Sequence, residues 1–176
     1  ATVFAADFWI SPTENYSRFQ SVGIDDKAVP IYVDATKGLP FANGYFDLLF
    51  TVDAYHYFGD TEEILPSLIH YIKKGGYIAV AIPGIKCEFG ENVPEEMKPF
   101  WLDEVERTIH SLNWWKELWS KAEGIEIVDA REMNCCKQAW DEWLTSPNPY
   151  AREDIKMMEA EGGKYFNLLQ LIAKVI

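Results

Sequence analysis

The chain has 176 residues, 16 Lys+Arg against 28 Asp+Glu, and 48% hydrophobic content, enough to bury a core as one domain. A net charge of −12 with no run of Lys or Arg repels a phosphate backbone and argues against nucleic-acid binding. The longest apolar run, Tyr77 to Ile82, is far shorter than the roughly 20 residues of a spanning helix, so no membrane span is expected. Three cysteines, two of them adjacent at Cys135 and Cys136, make neither a disulfide framework nor a C-x-x-C pair, which fits a reducing, cytoplasmic compartment.

In chain order, Val3 to Ala6 reads as a short buried strand followed by Asp7 and the turn Ser11-Pro12-Thr13. Glu14 to Val22 reads as a helix closed at Gly23, and Val29 to Val33 as a second strand ending at Asp34. Residues 36 to 45 hold too many breakers for a helix and lead into a third strand, Phe46 to Val52, which stops at Asp53. Asp60-Thr61-Glu62-Glu63 has capping-box spacing and predicts a helix whose apolar face is Leu65, Leu68, Ile69 and Ile72, kinked or restarted at Pro66 and ended by Gly75-Gly76. Tyr77 to Ile82 is then a fourth buried strand.

Residues 85 to 123 change in character, with Phe89, Phe100, Trp101, Trp114, Trp115 and Trp119 among acidic residues. They predict a helical lid insertion broken near His110 to Asn113. Ile125 to Met133 reads as a strand, Gln138 to Leu144 and Tyr150 to Glu161 as helices, and Tyr165 to Ile176 as a last strand. With no repeat or linker, the expectation is a single α/β domain over residues 1 to 176.

In open α/β sheets ligands bind beyond the carboxyl ends of the strands. Three early strands end there in Asp7, Asp34 and Asp53. Aspartate also caps turns and helices, but three on one rim favour a nucleoside, with Asp7 accepting from ribose hydroxyls and Asp34 from an adenine amino group.

The run Asp34-Ala35 through Leu39-Pro40-Phe41 to Phe46-Asp47, its continuation to Phe58, and Ile72-Lys73-Lys74-Gly75-Gly76-Tyr77 resemble class I S-adenosylmethionine-dependent methyltransferases, with Lys74 where that family has proline. The resemblance implies a Rossmann-like, doubly wound, mostly parallel sheet with an antiparallel last strand, and S-adenosyl-L-methionine as cofactor. It assigns Asp7 to the ribose, Phe8 and Trp9 to the flanks of the adenine, Asp34 and Ala35 to its edge, and Thr51, Val52 and Asp53 to the methionine part. His56 or Tyr57 would face a small-molecule acceptor, an oxygen or nitrogen nucleophile. His56 is the candidate base, and Tyr55, Tyr57, Trp101, Trp114 and Trp115 are candidate acceptor contacts.

The family's glycine-rich loop is not found within residues 1 to 176, so the chain is expected to begin inside the domain, about 30 residues in. Two other readings stay open: a nicotinamide-dependent oxidoreductase using Asp7 for the ribose, and a non-enzymatic nucleoside-binding or interaction module. No G-x-S-x-G, H-E-x-x-H, P-loop or repeated Cys/His pattern is present, and no metal site is expected.

Overall fold

The computed structural model describes residues 1 to 176 and resolves them into two compact units, residues 1–42 and 43–176. In the first unit, β1 (Val3–Asp7) and β2 (Ala28–Tyr32) pair in parallel, with Val3 opposite Ala28 and Asp7 opposite Tyr32. Their crossover is α1 (Pro12–Val22), started by the Ser11 side chain, which accepts from the Glu14 amide, and closed at Gly23 with φ +72°. A residue with a Cβ strains in that left-handed conformation, so glycine there ends the helix. β1 is not covered on both faces as its apolar run suggests: Val3 and Ala6 are exposed.

The second unit holds a four-stranded sheet in the order β3-β4-β6-β5, from β3 (Phe46–Val52), β4 (Ile72–Ile85), β5 (Ile125–Glu132) and β6 (Phe166–Val175). β3 and β4 are parallel, while β6 runs antiparallel to both β4 and β5, as the sequence led one to expect of the last strand. The strands form two sheets rather than one, because no ladder joins β1 or β2 to the other four.

One sheet face of this unit is the core. Paired positions point the same way, so Ile78, Val80 and Ile82 of β4 align with Leu169, Leu171 and Ala173 of β6. Against them pack α2 (Ile64–Ile69) through Leu65, Leu68 and Ile69, and α4 (Leu112–Ser120) through the fully buried Trp115 and Trp119. A smaller cluster of Ile85, Met97 and Phe166 gathers Phe89 and Trp101. Residues 85 to 123 contain α3 (Asp103–Thr108) and α4, separated at Ile109–Ser111. After β5 come α5 (Cys136–Leu144) and α6 (Pro149–Glu161).

Two expectations are corrected. The capping box does not start a helix: Glu63 precedes Ile64 in α conformation without a side-chain cap, and Pro66 lies in the first turn of α2, where its missing amide costs nothing. The helix also stops at Ile69, so Ile72 through Gly76 belong to β4, which is far longer than Tyr77 to Ile82. Ile72 keeps its buried place by pairing with Phe46.

Candidate active site

In the first unit, the end of β1 turns on the Asp7 carboxylate. Its Oδ1 accepts from the amides of Trp9 (2.8 Å) and Ile10 (2.9 Å), fixing the turn into α1. Its Oδ2 carries one long bond, 3.3 Å, from the buried Asn15 side chain. Burial pushes this carboxyl up, but the two amides, Asn15 and the charge of Arg18 outweigh it, so the group stays below the usual carboxylate range. Asp7 is thus both a turn-former and an ionised acceptor with capacity left on one oxygen.

Beside it, Phe8 stacks on Tyr32 with ring centroids 5.9 Å apart, and Trp9 is 78% exposed. At the end of β2, Asp34 caps a single 3-10 turn, Ala35–Lys37. It accepts from the Thr36 hydroxyl (2.6 Å) and amide (3.0 Å), and Lys37 lies 3.1 Å away. These bonds hold its carboxyl below the ordinary range. Both oxygens are therefore engaged within the turn, and Ala35 spends its carbonyl on the Gly38 amide (3.4 Å).

In the second unit, the chain leaves β3 through Asp53, whose φ of +52° is the one positive value at a non-glycine residue. Burial first, and then the charge of Asp154 on α6, push the Asp53 carboxyl up. Tyr57 is half exposed; burial and then the charges of Asp53, Glu104 and Asp154 raise its phenol. Asp154 also accepts from the Trp143 indole at 2.8 Å. The structure thus brings Asp53 and Tyr57 into one electrostatic neighbourhood with two carboxylates, Glu104 and Asp154, that sequence reasoning missed. They stand on α3 and α6, 51 and 101 residues from Asp53, a separation no local spacing reveals. Asn15, eight residues from Asp7, was missed as well, although its place on the first turn of α1 was a usable signal.

The other candidates divide by burial. Thr51 points toward the core side of β3 with a buried hydroxyl that has no protein partner, whereas Val52 points to the opposite face and is 67% exposed. His56 is almost fully buried, its ring 4.0 Å from that of Tyr57 and its Nδ1 without a protein partner. Burial pushes its pKa down to about 4, so the ring is neutral at pH 7 and a weak proton acceptor. Tyr55 and Trp115 have no exposed surface and pack in the core, ring centroids 5.7 Å apart, which leaves Tyr57 as the accessible aromatic of that turn. Trp101 packs on Phe89, and Trp114 stacks on His110.

Residues 9–80 match the family model described as "Methyltransferase domain". Among solved structures, the chain is similar to geranyl diphosphate C-methyltransferase from Streptomyces coelicolor A3(2), described in complex with Mg2+, geranyl diphosphate and S-adenosyl-L-homocysteine. That match has TM-score 0.73 and 13% identity over 100% of this chain and 64% of that one. A putative sarcosine dimethylglycine methyltransferase from Galdieria sulphuraria matches with TM-score 0.70 and 12% identity over 98% of this chain and 69% of that one. A 4+2 cyclase matches with TM-score 0.70 and 14% identity over 99% and 66% of the respective chains. This chain therefore spans about two thirds of the length of the proteins it resembles. No curated protein matches it.

Proposed function

We infer, from the methyltransferase domain matched by residues 9–80 and from the Rossmann-like α/β fold, that the chain is a class I S-adenosylmethionine-dependent methyltransferase and transfers a methyl group to a small-molecule acceptor. The carrying observation is Asp7: an ionised carboxylate at a strand end, one oxygen spent on two backbone amides and the other holding a single 3.3 Å bond. A ribose hydroxyl completes that second oxygen. Trp9 and the Phe8–Tyr32 stack offer flat apolar surface for a purine, and Asp34 and Ala35 frame its edge.

The bound donor supplies an electrophilic methyl group on a sulfonium. The protein's task is alignment and exclusion of water, with a proton acceptor only where the nucleophile must lose a proton. Around Tyr57, the carboxylates of Asp53, Glu104 and Asp154 set a negative field. Such a field favours an amine acceptor, since attack by a neutral nitrogen builds positive charge on it. The buried, weakly basic His56 is poorly matched to take the proton released afterwards, and Asp53, whose carboxyl burial and the charge of Asp154 push up, is the proposed acceptor.

Calorimetric titration with S-adenosylhomocysteine tests the cofactor assignment. The wild-type chain binds, and Asp7→Ala loses about 10- to 150-fold in affinity, the loss of one charge-assisted hydrogen bond. Equal affinity of the two proteins removes Asp7 from the site.

A further inference from the structure

The Asp7 carboxylate is held at the start of α1 by three donors that divide unequally between its oxygens. Oδ1 takes the amides of Trp9 and Ile10 at 2.8 and 2.9 Å, while Oδ2 takes the Asn15 side chain, through Nδ2, at 3.3 Å. An ionised carboxylate offers about four acceptor positions, about two on each oxygen. Oδ1 is therefore full, and Oδ2 has one position open.

Asn15 stands where it decides which way that open position points. The residue is 8% exposed, and its amide donates to the Ser11 carbonyl at 3.0 Å, which fixes it in the first turn of α1. Its carboxamide is neutral, so it donates to Asp7 without bringing a charge of its own. The nearby guanidinium of Arg18 pairs with Glu14 at 2.6 Å on the surface of the helix and acts on Asp7 only through space. Bonds on both oxygens, one side from the backbone turn and the other from α1, pin the plane of the carboxylate.

We propose that Asn15 is a positioning residue of the cofactor site: by occupying one side of Oδ2 it aims the remaining acceptor position, so that Asp7 grips one ribose hydroxyl and not the vicinal pair. The proposal rests on the reading of Asp7 as the ribose acceptor. A carboxylate free on both oxygens takes the two hydroxyls of a ribose side by side. Asp7 cannot do so, because the turn into α1 is built on Oδ1, and freeing that oxygen would leave two amides without their acceptor. An acceptor aimed in advance also loses less freedom when the hydroxyl arrives. Without the Asn15 bond, Oδ2 has two open positions and no fixed direction.

Calorimetric titration of the full chain with S-adenosylhomocysteine and its 2′-deoxy and 3′-deoxy analogues tests this, read as the ratio of each analogue's Kd to that of the parent. A general loss of fold or of the α1 turn weakens all three ligands alike and cancels in the ratios. In the wild type, the analogue that lacks the gripped hydroxyl binds about tenfold weaker or more. In Asp7→Ala that ratio falls to about one, while the other analogue keeps its wild-type ratio. In Asn15→Leu, which keeps bulk but cannot donate, and in Asn15→Ala, the first ratio falls severalfold. Adding Asn15→Leu to Asp7→Ala changes nothing more, because its effect runs through Asp7. Both ratios shifted by Asp7→Ala would mean that two hydroxyls are gripped, and wild-type ratios in both Asn15 variants would mean that Asn15 only packs. Either result overturns the proposal and leaves Asp7 as the ribose acceptor. Neither ratio shifted by Asp7→Ala, or no binding of S-adenosylhomocysteine by the wild type, overturns the ribose reading and the proposal with it.

Discussion

The Asp53 amide donates to the Ala81 carbonyl at 2.8 Å, one position beyond the last paired residues of β3 and β4, while Asp53 itself holds φ +52°. β3 therefore ends in a left-handed turn pinned to its neighbour, and the carboxylate leaves the strand there. Aspartate tolerates this conformation better than alanine does, and glycine tolerates it freely. Asp53→Ala should cost about 1 kcal/mol of stability in urea unfolding, whereas Asp53→Gly should be near neutral. Both should lose methyl transfer, which separates the carboxylate's role from the backbone's.

Glu161 is buried at the end of α6 and accepts from three amides: Gly163 (2.5 Å), Tyr165 (2.6 Å) and Phe166 (2.8 Å). This one side chain ties α6 to the start of β6. Glu161→Ala leaves three donors without their acceptor and should cost about 3–5 kcal/mol, read by chemical denaturation.

His56 sets a pH dependence of stability. Its folded pKa of about 4 lies below the unfolded value of about 6.5, so between those pH values the unfolded chain binds the extra proton. Stability from this group is therefore intact above pH 6.5 and falls as pH drops toward 4, by about 2 kcal/mol between pH 7.5 and 5. Subtracting the profile of His56→Leu from that of the wild type should isolate this loss; parallel profiles would refute it.

A Cβ at Gly59 would collide with the Tyr55 ring, which has no exposed surface and is packed against Trp115 and Trp119. The ring has no room to yield. Gly59→Ala should cost about 1–3 kcal/mol as overpacking and lower the thermal midpoint.

Much of the fold was legible because apolar spacing and punctuation are local signals. Gly23 closes α1 as its residue type suggests, although the helix starts at Pro12 rather than Glu14 because Ser11 caps it, and the antiparallel β6 follows its Gly162-Gly163 turn. The failures have local causes too: Leu65, Leu68, Ile69 and Ile72 fit one helical face, yet pairing with Phe46 draws Ile72 into β4. At the site, strand-end aspartates were readable from position alone. Exposure was not: Tyr55 and Tyr57 are two residues apart, one fully buried and one open. Glu104 and Asp154 join the Tyr57 neighbourhood only through tertiary packing.

The most direct measurement of the central claim is transfer of tritium from methyl-labelled S-adenosylmethionine to a panel of amine, hydroxyl and olefin acceptors incubated with the full chain. The account predicts label on amines, with stoichiometric S-adenosylhomocysteine and loss of transfer in Asp7→Ala. Label appearing on carbon alone would contradict the nitrogen acceptor, and no transfer to any acceptor by a chain that binds the donor would contradict the enzymatic assignment.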